Sequence, residues 1–290
     1  MVMTAAEPTT TTIPGVPERK LITYARNGVY VTPEMAAAFI AHARKNRKVR
    51  PLVAEAYGRD MLNHQWYETG ATLAFDREGY LQDGQHRCRA AVATGIGFWA
   101  LIVGDLDPSA FEYMDIGMKR TVADVLGLKD HKDAALSGAI VSNTIKYRRG
   151  EIRQNDPVTR PETFAFAEEN RGTLAKIIDL YTSKTTAKKL LRSGQGGWLL
   201  FEFYQRDPVM AELMLNELNQ ASGTLPPNDP IMMLRERLFR DATSTTRLNR
   251  IVLTAYVIQA WNASVTGNKL GVLRWTMNQD LPAILPELPA

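Results

Sequence analysis

Alternation of apolar and polar positions is clearest between residues 72 and 103. Thr72-Leu73-Ala74-Phe75 rises as a strand, Asp76-Arg77-Glu78-Gly79 turns, and Tyr80-Leu81-Gln82 returns, which predicts a hairpin. Small residues over 85–94, stopped by Gly95, predict a helix. Phe98-Trp99-Ala100-Leu101-Ile102-Val103 is a continuous apolar run of strand length and reads as a buried strand. Upstream, 21–31 holds one short strand. Thr32-Pro33-Glu34 reads as a helix start, with Thr32 as cap, Pro33 at the first helical position, and Met35, Phe39 and Ile40 as the apolar stripe. Residues 52–66 form a second helix carried by Leu52, Ala56, Met61 and Trp66, with His64 on its surface.

From about residue 131 the period changes. Helical spacing takes over in 133–149, 161–181, 185–192, 197–206, 208–221, 230–242 and 245–265, with proline or glycine in most gaps. The expected helical core is Trp198, Phe201, Tyr204, Leu213, Leu234, Leu238, Ile251, Tyr256 and Trp261, with Trp275 anchoring a final loop. These patterns predict an α+β chain. A Thr- and Pro-rich disordered tail (1–20) leads into a small mixed α/β domain (21–130), and an all-α domain (131–290) follows.

The chemistry concentrates at Asp83-Gly84-Gln85-His86-Arg87-Cys88-Arg89-Ala90, where the hairpin feeds the helix. The first amides of a helix have no intrahelical partner, and its dipole places partial positive charge there. Gly84 permits close approach of the backbone, and His86 and Arg87 add donors beside it, so the turn reads as a phosphate cradle. The plainer alternative is a hairpin-to-helix turn whose His and Arg are solvated. Cys88, Val92 and Gly95 share one helical face, which points Cys88 into the core as a packing residue.

The Asp-Gly-Gln-His-Arg-x-x-Ala stretch after a strand resembles the nucleotide-binding box of the ParB N-terminal/sulfiredoxin superfamily. ParB proteins place a Gly-Glu-Arg-Arg-type box there, sulfiredoxins a Gly-Cys-His-Arg box, and DndB-like proteins read Asp-Gly-Gln-His-Arg. The resemblance covers roughly residues 30–128, with Tyr57, Asp60, Met61 and Trp66 matching the helix before the hairpin. It is closest to ParB-like proteins of phages and their bacterial hosts. It implies a ParB/sulfiredoxin-like fold and a nucleoside triphosphate held by its phosphates. Gln85 stands where sulfiredoxins carry their cysteine nucleophile, which disfavours their reductase chemistry.

On that reading Gly84, Gln85, His86, Arg87 and Arg89 bind nucleotide, with Lys119, Arg120 and Thr121 closing the other side before a second helix start. Thr121-Val122-Ala123-Asp124 is a capping-box pattern with Asp in place of Glu. Asp83, His86 and Asp115 are the candidate catalytic groups, as base, acid or Mg²⁺ ligand; a surface ion pair between Asp115 and Lys119 is the alternative.

Net charge is +4 and pI about 9.1, compatible with a nucleotide or nucleic-acid partner. Arg44-Lys45-Asn46-Arg47-Lys48-Val49-Arg50 packs five cations into seven residues before Pro51. This run, and Lys188 and Lys189 with Lys184 and Arg192, are candidate DNA contacts or plain solvated faces. So are Arg235, Arg237, Arg240, Arg247 and Arg250. No helix-turn-helix is evident. The single cysteine excludes an internal disulfide and any cysteine-cluster zinc site. The start of the chain does not read as a signal peptide, and the longest apolar stretch, 251–261, is too short to span a bilayer, which predicts a soluble cytoplasmic protein. Two functions follow as expectations. One is a nucleotide-binding protein acting on or with DNA. The other is a phosphate-transferring or hydrolysing enzyme, a kinase, NTPase or DNA-modification component. Homo-oligomerisation is left open.

Overall fold

The computed structural model describes residues 27–43, 50–109, 121–127, 129–154, 156–192 and 194–288. The expected tail (1–20), the cations Arg44, Lys45, Arg47 and Lys48, and Asp115, Lys119 and Arg120 lie outside the described residues. The chain is α+β and divides into two units, Met1–Lys119 and Arg120–Ala290.

The first unit contains β1 (Gly28–Val31), α1 (Pro33–Ala41), α2 (Pro51–Leu62), β2 (Thr72–Asp76), β3 (Leu81–Asp83), α3 (Gln85–Thr94) and β4 (Phe98–Leu106). The four strands form one mixed sheet in the order β1-β4-β2-β3. β1 runs antiparallel to β4, β4 parallel to β2, and β2 antiparallel to β3. The parallel pair requires a crossover, and α3 supplies it. Thr32 caps α1 as expected, its hydroxyl accepting from Met35 N at 3.2 Å. Leu73, Leu81, Phe98 and Ala100 of the sheet share a core with Ala36, Met61, Cys88 and Ala91 of the helices.

The 98–103 run was expected to be buried on both faces, and it is not. Phe98 and Ala100 are buried, while Trp99 is 47 % exposed and crosses edge-on to the equally open Tyr30 on β1. Among the described residues, helices pack on the face that carries Phe98 and Ala100, so an apolar run here does not mean two-sided burial. The second helix is also shorter than its pattern. It ends at Leu62, and Trp66 packs back from the following loop against Tyr57 and Phe98.

The hairpin turn is organised by Asp76. Its buried carboxylate accepts from the amides of Glu78 (3.0 Å) and Tyr80 (2.9 Å) and from Gln82 Nε2 (2.6 Å). A carboxylate that accepts several donors inside a turn fixes the return of the strand.

The second unit is helical: α4 (Val122–Gly127), α5 (Ala134–Arg148), α6 (Arg160–Glu169), α7 (Arg171–Thr182), α8 (Thr185–Leu190), α9 (Gly194–Arg206), α10 (Pro208–Asn219), α11 (Pro230–Thr243) and α12 (Arg250–Thr266). Short α4 belongs to this unit. Leu126 joins the helical core, and Gly138 of α5 lies close against Val122. Trp198, Phe201, Leu234, Leu238, Ile251, Tyr256 and Trp261 are buried as expected, but Leu213 is 36 % exposed. The buried stripe of α10 runs through Ala211, Met214, Leu215 and Leu218, and Leu213 falls off it. α12 begins at Arg250 and not near 245, because Asn249 caps it by accepting from Ile251 N at 2.8 Å.

At the centre of α9, Glu202 is fully buried between Arg148 Nε (2.8 Å) and Arg206 Nη1 (2.6 Å). Arg206 also donates to the Ile284 and Pro286 carbonyls, so the same buried charge fastens the C-terminal strand of chain. Breaking a buried pair leaves uncompensated charge. Glu202→Ala is expected to lose about 3–5 kcal/mol in denaturant unfolding.

Candidate functional site

β3 ends at Asp83 and α3 starts at Gln85, so one residue makes the corner. Gly84 takes it with φ +106°, a left-handed value that a side chain would strain. A Cβ there would also collide with Leu73 Cδ2. The corner is therefore tight and packed onto β2.

Arg87 holds it shut. Nη2 donates to the Thr72 carbonyl at 2.6 Å and Nη1 to the Ala71 carbonyl at 3.2 Å, with Asp83 Oδ2 3.3 Å from Nη2. Its side chain is only 12 % exposed. The expectation of a guanidinium directed at a ligand phosphate is revised: Arg87 straps the entry of β2 to the first turn of α3. Gln85, expected to reach a phosphate or sugar, is 8 % exposed and faces the fold. Asp83, the partner of Arg87, remains 41 % exposed at the side chain.

His86 does something the sequence did not suggest. Its Nε2 accepts the backbone N–H of Arg50 at 3.1 Å, so that nitrogen carries no proton in this arrangement. Arg50 is the cap residue of α2, with Pro51 at its first helical position. One hydrogen bond thus joins the N-terminus of α2 to the first turn of α3. Neither cap residue caps its own helix with its side chain, and neither first turn contains an acid. Two positive helix ends meet at one corner, with the exposed Arg50 beside them. Arg50 is the residue that sequence reasoning passed over, counting it only as the last cation of a run. The Arg-Pro step at a helix start was the available signal.

Arg89 is exposed and lies on the same face of α3 as His86, three residues on. It lines a groove of about 630 Å³ between α1, α2 and α3. The walls are apolar, from Ile40, Ala54, Leu62 and Val92, and Arg59 and Glu55 mark the rim. Cys88 points the other way. It is fully buried, and burial pushes its thiol up to about 11, as a packing role requires.

The second expected anion site is revised as well. The capping box at Thr121 forms: Asp124 Oδ2 accepts from Thr121 N (2.6 Å) and Oγ1 (2.8 Å), and Thr121 Oγ1 accepts from Asp124 N (3.2 Å). A carboxylate already occupies that helix end, so Thr121 is a cap and not a phosphate ligand. Its companions Lys119 and Arg120, and the catalytic candidate Asp115, are outside the described residues. Among the described residues no group of three His, Cys, Asp or Glu side chains stands close enough to hold a metal ion.

In the second unit the basic stripes divide. Arg235 caps α10, donating to the Glu217, Gln220 and Ala221 carbonyls, and Arg237 lies over the Tyr256 ring. Lys189, Arg240 and Arg250 are exposed, Arg247 is half-exposed, and Lys188 is partly so. Among the described residues no helix is long and apolar enough to cross a membrane.

Comparison with protein-family models, with curated proteins and with solved structures found no match to this chain.

Because Arg87 ties two carbonyls and a carboxylate, Arg87→Ala is expected to lose about 1–3 kcal/mol in denaturant unfolding. Arg87→Lys should not restore it, since an ammonium lacks the planar fork that reaches all three acceptors.

Proposed function

We propose that the first unit binds a nucleoside triphosphate by its phosphates, at the corner where the N-termini of α2 and α3 meet, and that this protein acts with DNA. The observation that carries the reading is the Arg50–His86 hydrogen bond. It brings together two helix ends whose own cap residues make no side-chain cap and whose first turns carry no acid. Such ends favour negative charge, and phosphate is the usual occupant. Arg50 and Arg89 supply exposed guanidiniums, while Gly84, His86 and Arg87 hold the backbone that faces the ligand. The apolar groove beside Arg89 takes the nucleoside; its size falls within the range of small-molecule sites. The resemblance of the Asp83–Arg87 stretch to the nucleotide box of ParB-like proteins supports the same assignment. Mg²⁺ would accompany the phosphates as part of the nucleotide complex.

Binding is favoured over turnover. Asp83 is paired with Arg87, and His86 Nε2 is committed to Arg50. Two of the three catalytic candidates therefore serve the architecture of the corner. A phosphate-transferring enzyme remains the second reading, resting on Asp83, which is still partly open to an incoming hydroxyl or metal-bound water.

The test is calorimetric titration of the protein with ATP, CTP and GTP in the presence of Mg²⁺, with phosphate release followed in parallel. Arg50→Ala and Arg89→Ala are each expected to weaken binding about tenfold, equivalent to one charge-assisted contact of about 1.4 kcal/mol. Their thermal midpoints should stay at the wild-type value, because both side chains are exposed. Unchanged affinity in both variants, or no affinity in the wild-type protein, contradicts the assignment. Steady phosphate release would favour the second reading.

A further inference from the structure

Two groups of cations that lie about fifty residues apart in sequence are drawn together in the helical unit by one buried acid. Asp241, on the last turn of α11, is 5 % exposed. Its Oδ2 lies 2.8 Å from Arg192 Nη2, just after α8, and 3.7 Å from Arg247 Nη1 in the α11–α12 loop. Its Oδ1 accepts from Leu248 N at 2.5 Å. Arg192 Nη1 closes the ring on the Leu248 carbonyl at 2.8 Å. Burial pushes the Asp241 carboxyl up, but the Leu248 amide and the Arg192 guanidinium outweigh it and hold the group below the usual carboxylate range.

We infer that the surface gathered by Asp241 is where this chain holds the backbone of duplex DNA. This rests on the DNA half of the function proposed above and gives that partner a place. Arg247 contacts the cluster, and Arg240 beside Asp241, Arg250 at the start of α12 and Lys189, one turn before Arg192, are exposed. Between them lies a loop of exposed hydroxyl residues, Ser244, Thr245 and Thr246. α12, 17 residues long, begins there with no acid in its first turn. Guanidinium, ammonium, hydroxyl and helix N-terminus are the groups that contact DNA phosphates. The nearest exposed carboxylate on α11 is Glu236, one turn back from Arg240. Asp241 itself lies beneath the surface and spends its charge on Arg192 and Arg247. Its role is positioning: it fixes the loop that carries Arg247 and joins Arg240 to Arg250.

The test uses the full chain without nucleotide and a short duplex of mixed sequence, with binding followed by fluorescence anisotropy over a salt series. Arg240→Ala and Arg250→Ala are each expected to reduce the salt slope by about one and to weaken binding for any sequence. Asp241→Asn separates positioning from charge. It removes a negative charge, so simple electrostatics raises affinity; the inference predicts a fall of about three- to tenfold, by loosening the loop. A rise in affinity for Asp241→Asn overturns the positioning role, and unchanged slopes in both arginine variants overturn the surface. Displacement of DNA by polyglutamate at equal charge concentration would identify an acidic polypeptide as the partner, and would also overturn it. Nucleotide affinity, measured separately on the same variants, is expected to be unchanged. Absence of DNA binding by the wild-type chain, with nucleotide binding present, counts against this surface alone, and DNA binding without nucleotide binding counts against the corner in the first unit.

Discussion

One glycine at the end of β3 is the constraint on which the first unit depends. At residue 84 the backbone must reverse from strand to helix in a single step, in left-handed conformation, against the side chain of Leu73. That step places the first turn of α3 against the sheet and brings His86 within hydrogen-bond range of Arg50. The Arg87 strap then fixes the step from the other side, tying α3 to the first residues of β2. The corner is rigid because its polar groups bond to one another. Rigidity of this kind suits a site that must present backbone amides to a ligand with little reorganisation.

The same principle recurs in the helical unit with acids in place of glycine. Glu202 fastens the C-terminal chain through Arg206, and Asp241 fastens the α11–α12 loop through Arg192 and the Leu248 amide. Asp76 does the equivalent within the hairpin. In each case a buried carboxylate is satisfied by several donors, which is the condition under which burying it is tolerated. These acids are internal scaffolding, and they leave the exposed surface richer in cations than the composition suggests.

Much of the fold was legible. The hairpin, the α3 helix and its stop at Gly95, the Thr32 and Thr121 caps, and most helices of the second unit follow from local rules of periodicity and capping, which act over a few residues. Side-chain direction was less legible, because it depends on what packs opposite. Trp99 sits in an apolar run yet faces outward, and Gln85 and Arg87 sit in a polar turn yet face inward. At the candidate site the location was readable from Gly84 and the helix that follows, but the roles were not. Arg87 looked like a ligand group and serves as a strap. His86 looked like a free donor and accepts from a helix end thirty-six residues away. A contact of that sequence separation has no local signature, so Arg50 escaped notice as part of the corner.

At the corner where α3 meets the start of α2, the first-turn amides of α3 are proposed to face an anion. Amide chemical shifts during titration with inorganic triphosphate test it most directly, without the base, sugar or DNA. Saturable shifts concentrated at Gln85, His86 and Arg87, reversed by salt, are expected. Shifts spread evenly over the lysines and arginines of both units, or none at these three amides at saturating triphosphate, would rule the site out.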